Sequence, residues 1–273
     1  MAVGEAVAMD RIASTFRAAA ERGEAALITY LMAGDPDLAT SKAAAVACAE
    51  GGADLIEIGM PFSDPIADGP TIQRAAERAL RAGTDLDDAL ALAAHVRKRS
   101  VVCLALMGYL NPVLSYGIER FFARAAASGV DAVILPDVPP EESAEVRRAA
   151  DGSGVKLVFL VAPTSTEARR RSAAAAATGF LYFVSVTGVT GARRELPRDL
   201  REQVTAVKAA TPLPVVVGFG VSTPAQANEV ARIADGVVVG SAIVARIAEP
   251  GSRSARAARV GRFVRSLKRA MRR

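Results

Sequence analysis

The chain has 273 residues, of which 51% are hydrophobic and 23% charged. This is the composition of a folded globular protein, which excludes wholesale disorder, and the apolar runs are too short to predict a membrane-spanning helix. The formal net charge of +5 comes from the C-terminal end, where basic residues and no acidic ones follow Glu249. The first ten residues lack the pattern of an export signal, so the sequence predicts a cytoplasmic protein.

The chain has too few cysteine and histidine residues for a disulfide framework, a zinc site or a histidine-dependent hydrolase. Cys48 lies in an alanine-rich helical stretch, Cys103 in a strand-like run and His95 near a predicted helix end. Two cysteines and one histidine predict neither a disulfide framework nor a zinc site, so no metal ligand is expected. A lone histidine at a helix end is typical of capping, which disfavours a Ser-His-Asp or Cys-His hydrolase. Enzymatic chemistry is therefore expected from carboxylates, tyrosines, lysines or backbone groups.

Short apolar runs alternate with Ala- and Arg-rich segments of helical spacing along the chain. The apolar runs predict strands at Ala26–Leu31, Leu55–Gly59, Val101–Met107, Ala132–Leu135, Lys156–Val161, Phe180–Val184, Pro214–Val217 and Gly236–Val239. The segments between them predict helices such as Thr40–Glu50, Ile118–Ala127, Glu142–Ala150, Ser165–Ala176, Arg198–Ala210 and Pro224–Ile233. This alternation predicts parallel βαβ units, and eight such units in one chain predict an α/β fold, the (β/α)8 TIM barrel.

Both ends of the chain add a helix to this barrel. A helical pattern near Asp10–Glu21 predicts an extra N-terminal helix, and a basic C-terminal helix or tail is expected at about 252–273. The tail's apolar stripe predicts docking on the body with a solvated basic face, which we favour over nucleic-acid binding. No linker rich in Pro, Gly or Ser is present, so 1–273 is expected to form a single domain. A doubly wound open sheet is the alternative, but "LITYLMAGDPD" stands where its dinucleotide fingerprint would be.

Glu57 is the most informative single residue. In "LIEIG" the residues Leu55, Glu57 and Gly59 share one face of a strand, so the carboxyl group is expected to be buried. Burial without a partner raises the pKa of a carboxyl group, which suits a group that donates and later accepts a proton. The competing interpretation is a structural ion pair or a hydrogen bond at the strand end.

Asp68 follows eleven positions later in a loop stiffened by prolines. This loop also contains Asp64, and Asp beside Pro or Gly is often only a turn former. A functional carboxylate and a turn-forming residue are therefore equally open interpretations of Asp68. Paired carboxylates in different environments are nevertheless a recurrent acid–base arrangement. A catalytic pair of Glu57 and Asp68 is therefore the working hypothesis.

Glycine-rich loops after the last strands indicate an anion site. "GFGVSTP" and "GSAIV" each follow a predicted strand and lead into a helix, where exposed backbone N–H groups favour phosphate. The loops after strands 7 and 8 of a barrel often bind phosphate. "GVTG" after the sixth strand is a candidate third edge of the site, and its two glycines predict a lid.

These motifs together resemble the tryptophan synthase alpha chain family. The stretch from Glu57 to Gln73, "EIGMPFSDPIADGPTIQ", is similar to the family signature, and further similar motifs follow in the family's order over roughly residues 10–250. The resemblance implies cleavage of indole-3-glycerol phosphate to indole and glyceraldehyde 3-phosphate, without metal or organic cofactor. It also implies a beta-chain partner, where pyridoxal phosphate would reside, in an alpha2beta2 tetramer, with neither nucleic acid nor a membrane as a partner.

The resemblance also assigns roles to particular residues. Glu57 corresponds to the family's general acid/base and Asp68 to its second catalytic carboxylate. Tyr109 and Phe219 correspond to residues that wall the indole or face the partner. The full set of implied substrate-binding residues is Tyr182, Thr190, Gly191, Phe219, Gly220, Gly240 and Ser241. The alternatives are another phosphate-binding barrel, such as an isomerase or synthase, and a non-catalytic activating subunit.

Overall fold

Eight parallel strands form a closed barrel in the computed structural model, which describes residues 10–184 and 196–272. Each strand pairs with the next along the chain, and the first strand closes the ring against the last. The strands β1 to β8 are Ala26–Met32, Leu55–Gly59, Cys103–Met107, Ala132–Ile134, Lys156–Val161, Leu181–Val184, Val215–Gly218 and Gly236–Val239. The predicted (β/α)8 barrel is confirmed, and the open sheet is wrong because the ring has no free edge.

Twelve α-helices accompany the strands in the described part of the chain. In order, α1 to α12 are Arg11–Glu21, Leu38–Glu50, Pro70–Arg81, Leu86–Arg97, Leu110–Tyr116, Ile118–Ala127, Ala144–Ser153, Glu167–Ala176, Leu200–Lys208, Pro224–Ala231, Ser241–Ala248 and Arg253–Ala270. Local chemistry sets several starts: the side chain of Asp37 accepts from the N–H of Thr40 at the start of α2, and Ser252 accepts from Ala255 at the start of α12. No helix among these is long and apolar enough to cross a membrane.

Alternate strand residues supply two cores, one inside the ring and one beneath the helices. Leu55 packs in the interior cluster, whereas Ile56 and Ile58 pack in the outer one, as the strand period of two requires. Helix α1, the predicted extra N-terminal helix, adds Ile12 and Phe16 to the interior cluster. The ring of Phe16 lies against the start of β8 and so closes the amino end of the barrel. The carboxyl end is left as the mouth.

Strand β3 starts two residues later than its composition predicts. Val101 and Val102 continue the apolar run of β3, yet the strand begins at Cys103 and Val101 is 90% exposed. The guanidinium of Arg97 donates to the carbonyl oxygen of Val102 at 2.8 Å, so this segment bonds a side chain instead of a neighbouring strand. Apolar composition alone cannot detect such a replacement.

Helix α12 docks on the body through its apolar stripe, and some of its basic residues hold it there. The buried side chains on that stripe are Val260, Phe263, Val264 and Leu267. Arg259 donates to the carbonyl oxygen of Arg246 at 3.1 Å, in the last turn of α11, whose carbonyl groups lack partners within their own helix. Lys268 lies 2.6 Å from a carboxylate oxygen of Asp54 and 2.9 Å from one of Glu24. Part of the basic run therefore tethers the helix, while the single domain over 1–273 stays a prediction.

Candidate active site

A cavity opens at the carboxyl end of the barrel, where the sequence predicts the site. Five of its lining residues carry polar side chains: Tyr30, Glu57, Asp68, Tyr182 and Ser241. Three glycines, Gly218, Gly220 and Gly240, line the side formed by β7 and β8, and apolar side chains complete the wall. The two carboxyl groups and the glycine-rich loops thus line the same cavity.

Glu57 lies in β2, opposite Tyr30 of β1 and Ala105 of β3, and its residue is only 1% exposed. Neither carboxyl oxygen has a hydrogen-bond partner among the described residues, so the ion-pair interpretation finds no support in that part of the chain. Burial, with a smaller contribution from the negative charge of Asp68, raises the pKa of Glu57 to about 8. The group is therefore an acid at neutral pH.

Asp68 is held in the loop that leads from β2 into α3. Gln73 in the first turn of α3 donates to the backbone oxygen of Asp68 at 2.8 Å. Tyr109 accepts a hydrogen bond from the N–H of Ala67 at 2.9 Å and hydrogen-bonds the Asp68 carboxylate. Burial raises the pKa of Asp68 to about 6, and the Tyr109 hydroxyl opposes that rise. Asp68 is therefore mostly ionised at neutral pH, while Glu57 is mostly protonated.

The Tyr109→Phe variant is expected to move the acid limb of the pH profile to higher pH. The hydroxyl group stabilises ionised Asp68, so its removal lets the pKa of Asp68 rise above about 6. If activity needs ionised Asp68 and protonated Glu57, kcat/KM falls below about pH 6 and above about pH 8. Loss of one such hydrogen bond, of about 1 kcal/mol, should lower kcat/KM about fivefold near the acid limb and less at higher pH. The measurement is kcat/KM across pH for the substrate that the family resemblance implies, indole-3-glycerol phosphate.

Tyr116→Phe is the matched control for this variant. Tyr116 also donates to an aspartate, Asp87, at 2.7 Å, but that pair is exposed and does not line the cavity. Its profile should equal that of the unaltered chain. An unchanged acid limb in Tyr109→Phe would show that Tyr109 does not tune Asp68.

The glycine-lined side of the cavity, at β7 and β8, has features that favour an anion. Helix α11 begins at Ser241 with Gly240 as its N-cap, and both residues line the cavity, so the positive end of the helix dipole lies at this side. Gly220 has φ +71°, in the left-handed region that favours glycine. A Cβ atom on Gly218 would lie 2.7 Å from the ring of Tyr182, so any residue other than glycine at this position would clash with the ring. Within residues 10–184 and 196–272, no group of His, Cys, Asp and Glu could hold a metal ion.

Most of the predicted site residues meet at this one cavity. Those that line it are Glu57, Asp68, Tyr182, Gly220, Gly240 and Ser241. Thr190 and Gly191, with the predicted lid, lie outside the described residues.

Phe219 was expected to contact substrate, and its side chain does not line the cavity. Its ring centroid lies 5.0 Å from that of Phe183, in the outer core, and the residue is buried. Gly218 and Gly220 line the cavity, whereas the buried side chain of Phe219 between them packs into the outer core.

Tyr30 is a polar lining residue that the motifs do not indicate. It lies on β1, and its interior neighbours Ile28 and Met32 are each two positions away. The period of two in "LITYLM" could have identified it, because alternate residues from Ile28 onward point into the ring.

Comparison with known proteins identifies the family. The sequence model of the family described as "Tryptophan synthase alpha chain" matches residues 16–272. The chain belongs to this family. It is 54% identical to the tryptophan synthase alpha chain of Citrifermentans bemidjiense, over 86% of this chain and 88% of that protein. The match with the Geotalea uraniireducens alpha chain is 51% identical over 95% and 97% of the two chains.

Solved structures agree with this membership. A structure of Mycobacterium tuberculosis tryptophan synthase superposes with a TM-score of 0.90 at 40% identity, covering 96% of this chain and 98% of that one. The tryptophan synthase subunit alpha from Legionella pneumophila superposes with a TM-score of 0.88 at 37% identity, covering 97% and 99%.

Tryptophan synthase alpha chains cleave indole-3-glycerol phosphate in tryptophan biosynthesis, and this chain is a carbon–carbon lyase of that kind. Membership in the family implies a beta-chain partner, and the alpha chain by itself needs no cofactor. The alternatives of another phosphate-binding barrel or a non-catalytic subunit are not supported by these comparisons.

Proposed function

We propose that this tryptophan synthase alpha chain cleaves its substrate with Glu57 as general acid and base and Asp68 as the charged partner of the indole. The observation that carries this proposal is the difference between two carboxyl groups at one cavity, with pKa values raised to about 8 and about 6. Groups whose environments separate their pKa values in this way are suited to opposite acid–base roles.

The reaction needs a proton at C3 of the indole before the bond from C3 to C1′ of the glycerol chain can break. Protonated Glu57 delivers this proton. Ionised Asp68 accepts a hydrogen bond from the indole N–H and stabilises the positive charge that develops on the ring. The resulting Glu57 carboxylate then takes the proton of the C1′ hydroxyl as the aldehyde forms. The C3–C1′ electron pair returns to the ring, and Glu57 ends the cycle protonated.

The glycine-rich side of the cavity supports a role as the phosphate anchor. Backbone N–H groups around Gly220, Gly240 and Ser241 would bind the phosphate, and its binding energy would orient the reacting carbon atoms. We assign Tyr182 to the wall beside the glycerol chain. Thr190 and Gly191 keep the roles that the family resemblance implies, namely closure toward Asp68 and part of the phosphate cradle. The side chain of Phe219 is not part of this proposal.

The proposal also covers the cofactor, the partner chain, the assembly and the cellular location. We infer that this chain binds no cofactor, that the beta chain holds pyridoxal phosphate, and that the two form an alpha2beta2 tetramer. A cytoplasmic location is also proposed, and the free, buried thiols of Cys48 and Cys103 are compatible with a reducing compartment.

Indole release by the purified chain, with and without a beta chain, tests the proposed function. We expect a low rate alone and a rise of at least about tenfold in the complex, because the partner would favour the productive conformation of the loop that carries Asp68. The beta chain alone is the control and should release no indole. Equal rates with and without the partner would contradict activation, and no release in either state would overturn the proposed reaction.

A further inference from the structure

Tyr30 lies between the two functional sides of the cavity. Its strand, β1, pairs with β2 on one side and with β8 on the other. Tyr30 is in register with Glu57 of β2. On its other side, the position of a Cβ atom on Gly240 would be 3.4 Å from the Cβ atom of Tyr30. The side chain therefore stands between the acid–base group and the proposed phosphate anchor.

The hydroxyl group of Tyr30 packs against Gly59, where a larger residue would clash with it. A Cβ atom on Gly59 would lie 2.2 Å from the hydroxyl oxygen, so the glycine leaves room for this group above Glu57. Tyr30 is only 6% exposed and lines the cavity. Burial, with the charges of Asp68 and Glu57, raises the pKa of Tyr30 well above its ordinary value, so the group remains a hydrogen-bond donor.

Within residues 10–184 and 196–272 no side-chain hydrogen bond uses this hydroxyl, and it is not among the fully buried polar atoms that lack a partner, so it is open to the cavity that Tyr30 lines. A donor that lines a narrow cavity bonds solvent when the cavity is open and must bond an atom of the ligand, or stay unsatisfied, when a ligand displaces that solvent. The hydroxyl group of Tyr30 is therefore available to donate a hydrogen bond to a ligand in the cavity.

The order of strands matches the order of groups in the substrate. The phosphate would bind at β8, the indole would meet the carboxyl groups carried by β2 and its loop, and the glycerol chain would lie between them. We propose that the hydroxyl of Tyr30 donates a hydrogen bond to a hydroxyl group of that glycerol chain. Tyr30 is then a substrate-binding residue that distinguishes glycerol phosphates from phosphates with a plain alkyl chain. This inference rests on the proposed function.

Two ligands test the inference in a chain that binds but does not turn over substrate. In the Glu57→Gln background, the dissociation constants of indole-3-glycerol phosphate and indole-3-propanol phosphate are measured with Tyr30 and with Tyr30→Phe. The second ligand lacks both glycerol hydroxyls. Loss of one neutral hydrogen bond should weaken the first ligand by about 2- to 12-fold and leave the second within about twofold. This difference isolates the interaction between the two hydroxyl groups.

Matched measurements separate a binding role from a structural one. Tyr116→Phe removes a hydroxyl outside the cavity and should change neither dissociation constant. Equal weakening of both ligands, or no weakening of either, would overturn the role of Tyr30 while leaving the proposed reaction in place. Failure of the proposed function has a different signature, because the Glu57→Gln chain would then still release indole from the first ligand or would bind neither ligand. If that background fails to fold, KM for the substrate and the inhibition constant of the analogue in the chain with Glu57 supply the same comparison.

Discussion

The Glu57→Gln variant is expected to lose about 10²- to 10⁴-fold of its indole-releasing rate, the range for a positioned acid–base group. Glutamine keeps the size of the side chain but has no proton to deliver to C3 and no carboxylate to take one back. The proposed phosphate anchor at β7 and β8 is unaltered, so glycerol 3-phosphate should bind with its normal affinity. The measurements are the rate of indole release and the affinity for glycerol 3-phosphate.

Glu229→Gln on the exposed face of α10 is the matched control and should retain full activity. Full activity in Glu57→Gln would refute the role of Glu57 in the reaction. Lost phosphate binding would instead indicate a damaged fold.

Stability across pH supplies a further check on the burial of Glu57. A carboxyl group whose pKa is raised on folding contributes most stability below its ordinary value of 4.5 and loses that contribution as pH rises to about 8. Glu57→Gln removes this loss, so the variant should gain stability relative to the unaltered chain over this pH interval. Its free energy of unfolding, measured across pH, should show that trend. An unchanged difference between the two proteins would mean that Glu57 is solvated in solution.

The Asp68→Asn variant is expected to lose about 10²- to 10³-fold in kcat, the cost of removing one electrostatic group aimed at a charged transition state. Asparagine fits the same space and can still accept from the indole N–H, but it carries no negative charge to stabilise the protonated ring. The loss should therefore appear mainly in kcat, with a small change in KM. Steady-state kinetics of indole release at neutral pH measure both constants.

Asp64→Asn is the matched control because Asp64 lies in the same loop and is exposed. It hydrogen-bonds its neighbour Ser63 and does not line the active-site cavity. In the isolated chain its kcat should stay near that of the unaltered protein. Equal losses in the two variants would mean that the loop needs its aspartates for shape, which was the competing interpretation of Asp68.

Much of the barrel could be predicted because its causes are local. The apolar runs, the spacing of the helices and the capping by Asp37 and Ser252 depend on residues within a few positions of one another. The direction of the Glu57 side chain could also be predicted, because side chains alternate between the two faces of a strand regardless of its neighbours. The late start of β3 could not be read this way, because it depends on the side chain of Arg97 from another element.

The amino-acid sequence by itself determined the barrel class, the inward direction of Glu57 and the glycine-rich loops after the last two strands. Only the tertiary structure decided that Tyr30 lies between the acid and the anchor and that Phe219 packs outward against Phe183. It also brought Tyr109 to Asp68 and left the carboxyl group of Glu57 without a hydrogen-bond partner among the residues that the structure describes. The physical reason is that a pKa and a binding contact depend on atoms from distant strands, whereas strand and helix formation depend on near neighbours.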